Sequence, residues 1–160
     1  MSAAEHALDD GVLERALWSL RAYDAMALAT LGDDGPQVAG VFFAPEIAGR
    51  GISLIFATLG DTLLYRSLQH DPRVAFLCSP GTASRWVQGT GVAQLVDDPL
   101  RHADLHERLM AHAPGARAYV ERFPMVPALI AVRRLKIVEA VDATPLLLAL
   151  PRDDTQAPAR

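Results

Sequence analysis

The chain has 160 residues, 51% of them hydrophobic and 21% charged, with a formal net charge of −4. That length suits one domain with a full core, the composition excludes a disordered or fibrous chain, and the mild acidity leaves no electrostatic footprint for nucleic acid. A single cysteine, Cys78, excludes an internal disulfide.

The opening stretch MSAAEHALDDG is acidic and polar, without the basic start and apolar run of a secretory signal. No apolar run approaches the roughly 20 residues of a membrane span. A cytoplasmic protein with no membrane partner is the expectation. Residues 10–22 place Val12, Leu13, Ala16, Leu17 and Leu20 on one helical stripe, with Asp9 or Asp10 as the cap. The period then changes. Residues 25–31 and 36–43 read as short apolar strands joined by the turn sequence GDDG. Residues 52–58, ISLIFAT, form a third, largely buried strand, and 61–70 a helix with Asp61 at its cap and Leu63, Leu64 and Leu68 turned inward. Asp71-Pro72 ends it.

Residues 73–78 are a fourth strand and 84–96 a long fifth, whose interior Gly89 and Gly91 mark a bulge or sharp bend. Asp98-Pro99 starts a helix over 98–113, a short helix follows at 115–122, and 128–142 is the sixth strand. LLLAL at 146–150, between two prolines, is a docking strand or a clipped core segment. The stretch 151–160 is polar and proline-bearing, as disordered tails are. Residues 1–150 therefore make one domain. Hairpins without strand–helix alternation argue against a doubly wound parallel sheet and for a mainly β, six-stranded antiparallel barrel with flanking helices.

Among chemical candidates, His102 and His106 lie four apart on a helix. Two imidazoles at that spacing could share a metal, but Asp104 and Glu107 complete no ligand set, and a solvated helix face is the simpler reading; no metal site is expected. His70 reads as the cation at a helix end. Cys78 sits in an apolar run with no activating histidine beside it, as a buried hydrophobe would. The glycines form no nucleotide-phosphate pattern and no serine sits in a nucleophile elbow.

The order of segments resembles the pyridoxamine 5′-phosphate oxidase-like, FMN-binding split-barrel family. The motifs are LATLGDDGPQVAGVFF, then IFAT ending a strand, then SLQHDPRV, then WVQGTGVAQLVDDP, and finally AVRRLKIVEAVD. They cover residues 10–142. The resemblance implies an FMN-type split barrel in which the flavin carries the chemistry, hence a flavin-dependent oxidoreductase acting on a small molecule. It implies cofactor contacts at Gly40, Val41 and Phe42 on one strand and at Phe56, Ala57 and Thr58 on the next. It also implies Thr62 and Arg66 at the middle helix for the phosphate, and Ser84 and Trp86 on the strand opposite; no catalytic residue is implied. Two positions depart from the family pattern: Leu64 replaces the usual Lys, and Ser67 the usual Asn. The first removes a charge partner for a phosphate, and Asp61 at the helix start adds a repelling one. The extra basic residues of true pyridoxamine phosphate oxidases are absent. The resemblance further implies a homodimer with the cofactor at the interface, 146–150 being a candidate for the shared surface. Branches that bind haem or a deazaflavin, or that have lost the cofactor, are the alternatives.

Overall fold

The computed structural model describes residues 6–152. Of the expected polar tail, Pro151 and Arg152 are exposed, and the rest lies outside the described residues. Helix α1 (Asp10–Arg21) begins where Asp9 accepts a hydrogen bond from the Val12 amide at 2.8 Å, and it buries Leu13, Ala16, Leu17 and Leu20. The apolar stripe and the cap thus place it as the pattern predicts.

Eight strands, rather than six, follow. They are β1 (Ala25–Gly32), β2 (Gly35–Phe42), β3 (Ala44–Ala48), β4 (Gly51–Leu59), β5 (Arg73–Cys78), β6 (Trp86–Leu95), β7 (Met125–Val138) and β8 (Leu146–Ala149). They form one antiparallel sheet in the order β2-β1-β5-β6-β7-β4-β3, with β8 pairing β7. The two additional strands are the short β3 and β8. Leu146, Leu148 and Leu150 of the last segment are buried in the chain's own core, and the Leu150 amide donates to the Arg133 carbonyl at 2.8 Å. The segment is a strand pairing β7 whose alternate leucines pack inward, leaving Leu147 and Ala149 on its outer face.

β2 and β3 are the two edges of the sheet, yet only Phe43 separates them in the chain. A one-residue link spans about 7 Å between its flanking Cα atoms at most, so the sheet must curl until its edges meet. Phe43 is fully buried at that seam, and its amide donates to the Asp24 carbonyl at 2.9 Å. Inside the curl, Met26, Leu28, Leu54, Phe56, Phe76 and Ile130 share one core with α1. Helix α3 (His102–His112) packs Leu105 and Leu109 on the outer side of β4 against Ile55.

The bend predicted around Gly89 and Gly91 is present as a register shift. Thr90 pairs Arg134 while Gly91 pairs Val132, so the extra residue, Arg133, is on β7. The glycines permit close approach: a Cβ on Gly91 would lie 2.5 Å from the Ala131 carbonyl oxygen, and one on Gly89 2.5 Å from the Phe76 ring. Helix α2 (Leu63–His70) is capped by Thr62 and not Asp61, its hydroxyl accepting from the Tyr65 amide at 3.3 Å. Asp61 instead turns the chain at φ 63°. With the start moved, Leu68 is buried but Leu63 points to solvent, 55% exposed. No helix among the described residues is long and apolar enough to cross a membrane.

The helix bearing three histidines is less solvated than its sequence suggests. His102 bonds the Val96 carbonyl through Nε2 at 2.6 Å, and His112 bonds the Tyr23 carbonyl through Nε2 at 2.7 Å while packing on Phe43. His106 keeps its Nε2 buried without a partner. Desolvation, then the neighbouring His102, lowers the His106 pKa below its ordinary 6.5, with the Met125 backbone pulling the other way.

Gly91→Ala should lower the unfolding free energy by about 1–3 kcal/mol, the usual cost of overpacking. Gly60→Ala, where an added Cβ meets nothing within 4 Å, should stay within about 0.5 kcal/mol; denaturant titration compares the two. A second expectation concerns pH. The unfolded chain takes up a proton at His106 more readily than the folded one, so this contribution is intact above the ordinary value of 6.5 and is lost as pH falls below it. His106→Leu should flatten the acid-side decline of stability relative to the parent, measured by thermal melts from neutral to mildly acidic pH.

Candidate functional site

The seam closed by Phe43 opens immediately beyond it. Ala44 of β3 pairs Ile55 of β4, and the ladder between them ends there. Phe56–Leu59 of β4 therefore continue without a β3 neighbour, held only by β7 on the other side. Across the gap, Ala39–Phe42 of β2 pair β1 on one side only. Two strand edges thus face a common space, each offering unpaired backbone N–H and C=O groups.

That space is a cleft of about 440 Å³, within the size range of small-molecule and cofactor sites. β2 lines it with Ala39, Gly40, Val41 and Phe42, and β4 with Ala57, Thr58 and Leu59. Thr62 and Leu64 close one end, and Leu109, Ala116, Tyr119 and Val120 cover the other side. The cover is seated by a tight contact: a Cβ on Gly115 would fall 2.7 Å from Cζ of Phe42. The Phe42 and Tyr119 rings lie 6.1 Å apart at a tilt of 53°, a favourable arrangement for an aromatic pair.

Polar groups in the cleft are few and already engaged with one another. The Thr58 and Thr62 hydroxyls are 3.2 Å apart, and both donate to the Leu59 carbonyl, at 3.3 and 2.9 Å. The lining contains no charged side chain.

Of the ten cofactor-contact residues implied by the sequence, the cleft brings together six: Gly40, Val41, Phe42, Ala57, Thr58 and Thr62. The other four fall elsewhere. The Phe56 side chain is fully buried in the core, while its backbone lies on the free edge of β4. Arg66 lies outside the lining, 3.5 Å from Asp61 and more than half exposed. Ser84 is exposed in the loop before β6, its Oγ 2.9 Å from that of Thr82. Trp86 begins β6 half-buried, donating Nε1–H to Gln88 at 2.9 Å, with Lys136 Nζ 6.0 Å from its ring centre.

The sequence reading missed the cover, from Leu109 to Val120. Its signal was the small-residue run Ala113-Pro114-Gly115-Ala116 between two helical stretches, which lets backbone approach an aromatic ring closely.

No residue in the cleft is a ready nucleophile. Cys78 is fully buried in the core, where desolvation pushes its thiol up to about 12, leaving it uncharged and unreactive. His70, expected at a helix end, stands there with Nδ1 3.1 Å from Asp33. No group of three or more His, Cys, Asp or Glu able to hold a metal occurs among the described residues. The arrangement is an apolar cleft between two free backbone edges, lined on a further side by Leu109, Ala116, Tyr119 and Val120.

Comparison with solved structures agrees with this architecture. A haem-binding protein from Mycobacterium smegmatis superposes with a TM-score of 0.67 at 19% identity, over 89% of this chain and 60% of that one. A Clostridium acetobutylicum protein related to general stress protein 26 of B. subtilis, of the pyridoxinephosphate oxidase family, gives 0.67 at 11% identity, over 88% and 96%. An FAD-binding protein from Mesorhizobium loti gives 0.58 at 18% identity, over 76% and 88%. At these identities the likeness is one of fold. No curated protein matches the sequence. The model of the family Pyridoxamine 5′-phosphate oxidase, in contrast, matches residues 15–140, and with so much of its length covered the chain belongs to that family.

Proposed function

We propose that the cleft between β2 and β4 holds the ring of a flavin, and that the protein is a flavin-dependent oxidoreductase acting on a small molecule. The observation that carries this reading is the pair of unpaired backbone edges, Ala39–Phe42 and Phe56–Leu59, bordering one apolar cleft. A flavin ring has two apolar faces and one polar edge. Val41, Phe42, Tyr119 and Val120 can cover the faces and exclude water, while backbone groups of the two edges meet the polar rim. A bound flavin itself accepts and returns electron pairs, which accounts for a site without a protein nucleophile. FMN is the form that the resemblance implies. Haem is the alternative: no histidine or cysteine lines the cleft, and the axial ligand would have to come from Tyr119 or Met125.

Assembly as a homodimer belongs to the same proposal. The outward faces of β1, β2 and β5 carry Ala27, Val38, Gly40, Ala75 and Leu77, all exposed, and Val38 is 72% exposed. These small apolar residues lie side by side: Ala27 pairs Gly40 and Leu77, and Ala29 pairs Val38 and Ala75. This apolar patch, bordered on β5 by the exposed Arg73, lies beside the cleft and suits a second copy, which would extend the cofactor's surroundings.

Purified protein should carry flavin absorption bands or acquire them on titration with flavin. Tyr119→Ala should weaken that binding by about 0.5–1.5 kcal/mol, the worth of an aromatic contact. A Soret band, or no uptake of flavin at all, would set the reading aside. For assembly, light scattering should give twice the 17.2 kDa chain mass, and Ala75→Arg, which puts a charge in the middle of the apolar face, should return it to one chain.

A further inference from the structure

We infer that the cleft prefers an uncharged planar ring to a phosphorylated one, so that the dephosphorylated flavin binds at least as well as the nucleotide. This rests on the flavin reading above and concerns which form the site takes. Every side chain lining the cleft is neutral, and its polar side-chain atoms are three hydroxyls, of Thr58, Thr62 and Tyr119. The two threonine hydroxyls, 3.2 Å apart, both direct their protons to the Leu59 carbonyl. The adjoining hollow, shared through Ala39 and Leu64, adds Thr30, Gln37, Val38 and Leu63, again without charge.

At the start of α2, where backbone donors could meet a phosphate, the Thr62 cap is directly preceded by a carboxylate, Asp61. The Asp61 side chain is 94% exposed. Arg66, the cation on that helix, lies 3.5 Å from Asp61 and outside the lining. Leu64, one turn into the cleft, presents methyl groups where a counter-charge would be needed. Taking a dianion out of water beside apolar walls and a carboxylate is unfavourable without a paired cation. A neutral ribityl chain meets no such penalty and can bond the hydroxyls and strand edges.

The test is a pair of fluorescence titrations of the full chain, with riboflavin and with FMN, at low and moderate salt. Riboflavin should bind as tightly as FMN or tighter, and FMN affinity should rise with salt as the Asp61 charge is screened. Asp61→Asn tolerates the same left-handed backbone, removes the repulsion and frees Arg66; Leu64→Lys adds a cation inside the cleft. Each should shift the FMN-to-riboflavin affinity ratio toward FMN, the first by a few-fold and the second by at least tenfold. FMN binding to the parent chain tenfold tighter than riboflavin would overturn this inference and leave the flavin reading standing. Binding of neither molecule would overturn both.

Discussion

A single buried phenylalanine ties together strands that lie at opposite edges of the sheet. Because Phe43 alone separates β2 from β3, the sheet can satisfy the chain's covalent geometry only by rolling up. The hydrophobic core follows from this. Alternate side chains of six strands point into the roll and meet α1 there, and the second cluster fills the outer side of β4 beneath α3. His112, bonded to the Tyr23 carbonyl and packed on Phe43, pins the end of α3 to the same seam.

The cleft is a by-product of the same constraint. The edges are joined at Phe43, but β3 starts opposite Ile55, so the last four residues of β4 outrun it. Edges left open elsewhere in proteins are usually blunted by charge or proline. β3 follows that rule, with Pro45 and Glu46, the latter held by Arg108 at 2.7 Å. The facing stretches of β2 and β4 do not follow it: they carry Ala, Gly, Val, Phe and Thr. Neutral residues beside open strand edges leave these two stretches without the charge or proline that usually blunts such an edge.

Much of this was readable from the chain. The stripe and acidic cap of α1, the GDDG hairpin and the glycine pair of β6 each carry a strong local signal, because each has few alternative solutions in backbone geometry. β3 escaped notice because APEIA has a proline, a glutamate and no sustained alternation, as befits a short edge strand. At α2, Asp61 and Thr62 are both good caps, and only the left-handed turn at Asp61 decides between them. The candidate site was legible at the level of strands and less so at the level of side chains. The Phe56 side chain fills the core, while its backbone belongs to the free edge of β4. Long side chains such as Arg66 take a direction that spacing alone does not define. The cover over the cleft comes from residues far along the chain, and the small-residue run at 113–116 marks a close approach without saying that Phe42 is the ring approached.

The central position of β7 has a consequence for how the molecule is made. Its 14 residues run alongside β6 on one flank and along β4 and then β8 on the other, with the irregularity at Arg133 falling where one neighbour gives way to the next. During synthesis the hairpins β1–β2 and β3–β4 emerge early, yet the strand that bridges β4 to β6 follows some 70 residues later. Until then both halves expose bare strand flanks, and the nascent chain is most open to mispairing in that interval.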